Sequence, residues 1–120
     1  MIGIDIIEVT RIKNAIERFG ERFLCKIYTQ DEINFCTRRK NKYQSFASRF
    51  AAKEAVMKAL GTGHAHGVKF TDIEIVDDEK SAPHVNLYGK ALEYAKGRKP
   101  VVSLSHIKDY AIAVCILINE

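Results

Sequence analysis

This 120-residue chain contains few cysteines and no long hydrophobic run. The three cysteines, Cys25, Cys36 and Cys115, are an odd number without a Cys-x-x-Cys pair. They argue against a disulfide framework or a zinc ribbon and favour reduced thiols. The longest uncharged apolar run, residues 110–118, has nine residues, whereas a membrane helix needs about 20. The N-terminal residues lack the basic flank and cleavage site of a signal peptide, so we expect a cytoplasmic protein that binds no membrane.

Positive charge is concentrated in the first half of the chain. Residues 10–60 hold twelve Lys or Arg against five Asp or Glu, a net charge of +7, whereas the remaining residues hold seven against ten, a net charge of −3. The first half is therefore a candidate surface for an acidic partner. A pI near 9.0 also permits a nucleic-acid-binding module. That alternative is weak, because the basic segments contain few aromatic residues and no recognised nucleic-acid motif.

Hydrophobic periodicity and turn signals predict a single α+β domain over residues 1–120. An Ile-rich strand opens the chain, and a helix capped by Thr10 is expected to stop at Gly20. Further helices are predicted at about residues 30–37, 42–60 and 90–96, and hairpins at residues 70–88 and 101–118. This order predicts an antiparallel sheet of hairpins packed around a long central helix.

Small residues give the long helix one face that allows close approach of a neighbour. Ala52, Ala55 and Ala59 share this face, which suits packing within the chain or between subunits. Beyond the helix, His64 and His66 form a His-x-His pair. Without a nearby cysteine or carboxylate cluster, this pair is weak evidence for a metal site.

Two carboxylates stand out because of their neighbours. Asp5 lies in the first strand, on the face that it shares with Gly3, and Glu54 lies on the long helix among Ala and Phe, with cations at positions 49, 53 and 58. Such a pair suits Mg²⁺ and a phosphorylated substrate, because Mg²⁺ is usually held by one or two carboxylates with phosphates and water. A magnesium-dependent hydrolase of a small phosphorylated metabolite fits the same pair. Taken alone, Glu54 also fits a surface ion pair with Lys58, and Asp5 an ordinary strand-end carboxylate.

Four blocks of the sequence resemble bacterial holo-[acyl-carrier-protein] synthases, of the 4′-phosphopantetheinyl transferase family. The blocks are residues 3–8 with 11–12, residues 49–55 with 58–63, residues 70–75 with 83, and residues 102–106 with 110–111. Together they span nearly the whole chain in order. The Lys53-Glu54-Ala55 block with its Gly-Thr-Gly ending is the most specific of them.

The resemblance implies an enzyme that moves the phosphopantetheine arm of coenzyme A onto a serine of apo-acyl carrier protein. Adenosine 3′,5′-bisphosphate is the other product, and the reaction supports fatty acid biosynthesis. The resemblance further implies that Asp5 and Glu54 bind Mg²⁺ and act in catalysis together with Lys58. The base that accepts the serine proton is either Glu54 or a metal-held water.

The resemblance also suggests substrate contacts and an assembly. For coenzyme A the expected residues are Arg49, Lys53, Gly61, Thr62, Gly63 and His106. For the acidic carrier protein they are Arg11, Arg18 and Arg22, with Phe23 as an apolar anchor; the three arginines share one face if the helix continues past Gly20. Family members of this size are usually homotrimers with active sites between subunits, which fits the limited burial available to a lone 120-residue chain.

Overall fold

A computed structural model describes residues 1–119, so Glu120, the last residue of the predicted domain, lies outside the described part. The described residues form five strands, five α-helices and one short 3₁₀ helix. In chain order they are β1 (Ile2–Glu8), α1 (Val9–Phe19), α2 (Glu21–Ile27), α3 (Gln30–Thr37), α4 (Lys42–Leu60), the 3₁₀ helix (Phe70–Asp72), β2 (Ile73–Asp77), β3 (Pro83–Leu87), α5 (Gly89–Ala95), β4 (Lys99–His106) and β5 (Tyr110–Ile118).

A three-stranded antiparallel sheet and the long helix α4 form the centre of the molecule. Strand β5 is the middle strand, with β1 on one side and β4 on the other. Helix α4 packs on the sheet, and β2 and β3 form a separate two-stranded hairpin. Buried residues from both halves of the chain join one hydrophobic cluster. The predicted α+β class, with hairpins around a long helix, is confirmed.

Helix α4 approaches β1 so closely that only glycine fits between them. A β-carbon added at Gly3 would lie 2.7 Å from the backbone nitrogen of Ala59 and closer still to the carbonyl oxygen of Ala55. Both alanines are buried in the chain, as is Ala52, so the small-residue face serves packing within the subunit. The close contact places Asp5, two residues after Gly3 and on the same face, beside α4.

The opposite face of the sheet is apolar and exposed. Ile2, Ile4 and Ile6 are between 57% and 66% exposed. Across the strands Ile2 lies opposite Ile116, which in turn lies opposite Val101, and both of these are also exposed. In the single chain this face therefore presents a continuous apolar surface to solvent.

Several boundaries differ from those predicted. Helix α1 begins at Val9, with Glu8 at its N-cap, rather than after Thr10. Gly20, with φ 56° and ψ −131°, ends α1, and the chain at once begins α2, a helix that was not predicted. The expected strand from residue 70 begins with the 3₁₀ helix, so β2 begins only at Ile73. Within residues 1–119 no helix has the length and apolar character to cross a membrane.

Candidate active site

Asp5, Glu54 and Lys58 come together where β1 meets α4. The Lys58 Nζ atom donates to Asp5 Oδ1 at 3.1 Å and to the carbonyl oxygen of Ile4 at 2.9 Å. Lys58 lies one turn after Glu54 on α4. Asp5 is also near enough to Glu54 for its charge to help raise the pKa of that carboxyl group. The structure thus joins the three residues that the resemblance places in the catalytic group.

The Glu54 carboxylate is largely enclosed. Burial, the largest effect, and the charge of Asp5 raise the pKa of this carboxyl group, whereas the His64 imidazole and Lys58 lower it. The net effect is an increase in the pKa. Nε2 of His64 lies 3.0 Å from Oε1 and 3.1 Å from Oε2. Instead of the surface ion pair considered for Glu54 and Lys58, the structure has two other pairs. Lys58 pairs with Asp5, and His64 pairs with Glu54.

This arrangement fits a magnesium ion that is completed by its substrate. Asp5 and Glu54 supply two carboxylates, each with a side chain less than one-fifth exposed. Among residues 1–119 no cluster of three or more ligating side chains is present. Further ligands would therefore come from phosphate oxygens and water, which is the usual composition of a Mg²⁺ site.

The position of Lys53 contradicts the prediction that this residue contacts coenzyme A. Its side chain is fully buried, and its Nζ atom pairs with Glu32 Oε1 at 2.7 Å. The same ammonium group donates to the carbonyl oxygens of Phe70, at 3.0 Å, and Ile73. Its three donor positions are thus used inside the protein, and burial lowers its pKa despite the charge of Glu32. Lys53 joins α4 to α3 and β2, and it is not available to a phosphate.

Arg49 and His106 line a second part of the candidate site, a cavity of about 600 Å³. Arg49 is buried, with its guanidinium 4.2 Å above the Phe35 ring and its Nη2 atom 3.3 Å from Asp77 Oδ1. Within residues 1–119 its Nε atom has no hydrogen-bond partner. A buried donor without a partner favours a bound acceptor, because an unpaired donor costs free energy.

The connection between α3 and α4 adds basic residues to this cavity that sequence reasoning did not assign to a site. They are Arg38, Arg39 and Lys40. The run of positive charge was visible in the sequence, but its position beside Arg49 and His106 depends on the packing of β4 against α4. The residues that line the cavity do not include Asp5, Glu54 or Lys58.

The Gly61-Thr62-Gly63 segment ends α4. Gly61 adopts the left-handed conformation, with φ 80°, and the backbone N–H groups of Thr62 and Gly63 donate to the carbonyl oxygen of Met57 at 3.2 and 3.3 Å. The Thr62 hydroxyl group is buried and points to the same oxygen, at 3.4 Å. The segment thus has a clear capping role, and it carries His64 back to Glu54.

The residues expected to bind the carrier protein lie on two helices. Arg11 and Arg18 are on α1 and Arg22 is on α2, all three exposed. Because α1 ends before Gly20, the single face that was expected to align them does not form. Phe23 is partly buried and packs edge-on against Tyr28, with ring centres 6.3 Å apart.

Phe19 is the more accessible apolar residue on this surface. It is 47% exposed, and the guanidinium of Arg18 lies 5.2 Å from its ring centre. Sequence reasoning missed it. The sequence feature that could have identified it is its position directly before Gly20, the residue that ends α1. No further turn of that helix follows to cover its side chain.

Comparisons with known proteins identify the family to which this chain belongs. Holo-[acyl-carrier-protein] synthase of Ruminiclostridium cellulolyticum is 50% identical over 98% of this chain and 90% of its own length, and that of Koribacter versatilis is 48% identical over 96% and 94%. The crystal structure of Helicobacter pylori holo-[acyl-carrier-protein] synthase in complex with coenzyme A superposes with a TM-score of 0.88, at 38% identity, over 98% of this chain and 99% of that one. The model of the 4′-phosphopantetheinyl transferase superfamily matches residues 1–115. The chain belongs to the 4′-phosphopantetheinyl transferase superfamily.

Proposed function

We propose that this chain is a holo-[acyl-carrier-protein] synthase, which transfers the 4′-phosphopantetheine group of coenzyme A to a serine of apo-acyl carrier protein. The main support for the proposal is that Asp5 and Glu54, which are 49 positions apart in sequence, lie near one another beside Lys58. The relatives that bear this enzyme name cover nearly the whole chain. We extend the proposal to fatty acid biosynthesis, which requires the modified carrier protein.

The proposed reaction replaces the phosphoanhydride bond of the diphosphate with a phosphoester bond to serine. The serine oxygen forms a bond to the phosphorus that carries the pantetheine arm, and the bond from that phosphorus to the bridging oxygen breaks. Adenosine 3′,5′-bisphosphate leaves, and the serine proton passes to a base. Such a transfer depends mainly on alignment and on neutralising charge.

Asp5 and Glu54 would hold a Mg²⁺ ion against the diphosphate. The ion would supply electrostatic stabilisation of the phosphate oxygens and the leaving group. Lys58 is half-exposed, so its ammonium group can turn from Asp5 to a phosphate oxygen. Glu54, or a water molecule held by the ion, would accept the serine proton.

The basic cavity beside Arg49 is suited to another phosphate of coenzyme A. Arg49 is a cation whose buried Nε atom has no hydrogen-bond partner within residues 1–119, and His106, Arg38, Arg39 and Lys40 also line the cavity. Guanidinium groups match phosphate oxygens in geometry as well as charge. We place the adenosine end of coenzyme A at this cavity. Gly61, Thr62 and Gly63 do not line the cavity and would approach the nucleotide from a neighbouring subunit, the one that contributes Glu54.

The carrier protein would meet the exposed basic surface of α1 and α2. Acyl carrier proteins are acidic, and Arg11, Arg18 and Arg22 present positive charge to such a partner. Phe19 takes the role of apolar contact that was expected of Phe23, because its ring is the more exposed of the two.

A homotrimer with active sites between subunits fits two observations. The exposed isoleucine face of the sheet is suited to burial against copies of itself. The cavity at Arg49 and His106 is lined without Asp5 or Glu54, as expected if neighbouring subunits contribute different parts of one site. The cytoplasmic location expected from the sequence stays a prediction.

The test is a mass measurement on the carrier protein. Incubation of the chain with coenzyme A, Mg²⁺ and apo-acyl carrier protein should add the phosphopantetheine mass to the carrier and release adenosine 3′,5′-bisphosphate. Glu54→Gln should remove this activity while retaining the fold, and Glu93→Gln, at an exposed position, should retain both. Cleavage of coenzyme A without any carrier would instead favour a hydrolase.

A further inference from the structure

His64 occupies the space in front of both oxygens of Glu54. Its Nε2 atom lies 3.0 Å from Oε1 and 3.1 Å from Oε2, an almost equal spacing. Both oxygens thus direct a lone pair toward the imidazole, and a cation bound through either of those lone pairs would lie where the imidazole lies. The imidazole and a cation bound in that way therefore exclude one another.

The His64 side chain can leave this position without unfolding the end of α4. The side chain is 60% exposed, and its ring packs against Phe70, with ring centres 5.3 Å apart. The backbone around it is held separately, because the amides of Thr62 and Gly63 donate to Met57 and that of Ala65 donates to Thr62. Rotation of the side chain would break its contacts with Glu54 and Phe70 but none of these backbone hydrogen bonds.

We propose that His64 competes with the divalent cation for Glu54 and is displaced when the cation binds. This inference rests on the proposed function, since it needs Glu54 to be a metal ligand. The apparent affinity for the cation is then reduced by the fraction of molecules in which His64 covers the carboxylate. Mg²⁺ prefers oxygen ligands and gains little from a nearby imidazole, so His64 acts as a competitor and not as an additional ligand.

The test measures cation binding directly. Mn²⁺ takes carboxylate and water ligands as Mg²⁺ does, and its free concentration can be followed by electron paramagnetic resonance in the presence of coenzyme A at one fixed pH. Competition by Mg²⁺ then gives the affinity for that ion. For His64→Ala we expect the Kd of both ions to fall about twofold to sixfold, the range that loss of a partly exposed competing contact supplies.

The matched control is the other histidine of the same loop. The ring of His66 contacts Tyr94, with ring centres 5.8 Å apart, and not Glu54. Its φ of 66° is tolerated by asparagine, so His66→Asn should leave the Kd unchanged. Glu54→Gln should abolish the binding and so assign the signal to this site.

The outcomes separate this inference from the function on which it rests. Equal Kd values for wild type and His64→Ala overturn the competition and leave the metal site in place. Weaker binding by His64→Ala makes His64 a ligand and also overturns it. Absence of binding in the wild type, or binding that survives Glu54→Gln, overturns the metal site and the competition together.

Discussion

At the scale of single residues, two lysines on α4 differ in function because of where their ammonium groups lie. Lys53 is buried and paired with Glu32, whereas Lys58 is half-exposed and paired with Asp5. Removing one partner of a buried pair leaves an uncompensated charge, at a cost of about 3–5 kcal/mol. An exposed pair usually contributes less than about 1 kcal/mol.

Lys53→Met should therefore lower mainly stability, whereas Lys58→Met should lower mainly activity. We expect Lys53→Met to lower the free energy of unfolding by about 3 kcal/mol. Lys58→Met should change it by less than about 1 kcal/mol, yet reduce phosphopantetheine transfer about 100-fold by removing a charge that faces the phosphates. Urea unfolding and the carrier mass assay measure the two quantities. A fully active Lys58→Met, or a Lys53→Met variant as stable as wild type, would contradict these assignments.

Glu74 should make the stability of the fold depend on pH in acid. Burial alone would raise its pKa, but hydrogen bonds from Thr29, Asn86 and Tyr88 outweigh burial and lower it below the ordinary value of 4.5. The folded state then binds this proton less readily than the unfolded state, so the stabilisation is complete above the ordinary pKa and is lost as the pH falls through the folded value.

Glu74→Gln tests this sign. The variant should lose more stability, relative to wild type, at about pH 7 than at about pH 3.5, because the wild-type advantage requires the ionised carboxylate. Urea midpoints at the two pH values give the comparison. The exposed Glu93→Gln serves as the control and should show no such difference. A wild-type advantage that grows toward acid would show that the pKa of Glu74 is raised instead.

At the scale of secondary-structure elements, the contact between β1 and α4 holds the two carboxylates together. Gly3→Ala would force a methyl group against Ala55 and Ala59, so β1 must move away from α4. Asp5 moves with β1 and Glu54 stays with α4. We expect a loss of both stability and Mn²⁺ binding, measured by thermal unfolding and by metal titration.

Gly97→Ala is the control for a loss of stability without a change in the site. Gly97 has open space around it but a φ of +80°, so alanine there is strained by about 1 kcal/mol. This variant should lose stability and retain Mn²⁺ binding. Unchanged Mn²⁺ binding in Gly3→Ala would contradict the role given to the β1–α4 contact.

The elements that were predicted correctly are determined by residues that lie close together in the sequence. The bounds of α4, Lys42–Leu60, and the capping box of α3 at Thr29 and Glu32 agree with the structure because periodicity and capping chemistry act within a few residues. The burial of Lys53 was missed because its acceptors at Phe70 and Ile73 lie 17 and 20 positions away, beyond the helix. A helical projection shows which face a lysine takes but not what covers that face.

The helix α2 and the position of His64 were missed for a related reason. Gly20 was interpreted as a stop, although a glycine with φ 56° also permits an immediate change of direction into a new helix. His64 was judged as half of a His-x-His pair. Its contact with Glu54 arises because the turn that ends α4 folds the loop back along the helix.

At the scale of the whole molecule, a lone subunit leaves a large apolar surface in water. Ile4→Glu places a charge at the centre of the exposed isoleucine face, where burial of an unpaired charge is strongly unfavourable. We expect wild type to migrate as a particle of about 41 kDa, three chains of 13.6 kDa, and Ile4→Glu as a single chain with reduced activity. Light scattering during size-exclusion chromatography measures both masses. A wild type with the mass of one chain would contradict the trimer.

Mixing two inactive variants tests whether neighbouring subunits share an active site. Glu54→Gln removes the carboxylate, and His106→Ala removes a residue of the separate basic cavity, so each homotrimer should be inactive or nearly so. If Glu54 of one subunit works with His106 of the next, random assembly after joint refolding restores about one site in four, because each site needs one intact contribution from each neighbour. The measurement is the rate of phosphopantetheine transfer by the refolded mixture, compared with each variant refolded alone. A mixture no more active than its components would place Glu54 and His106 in the same subunit's site and would contradict the shared arrangement.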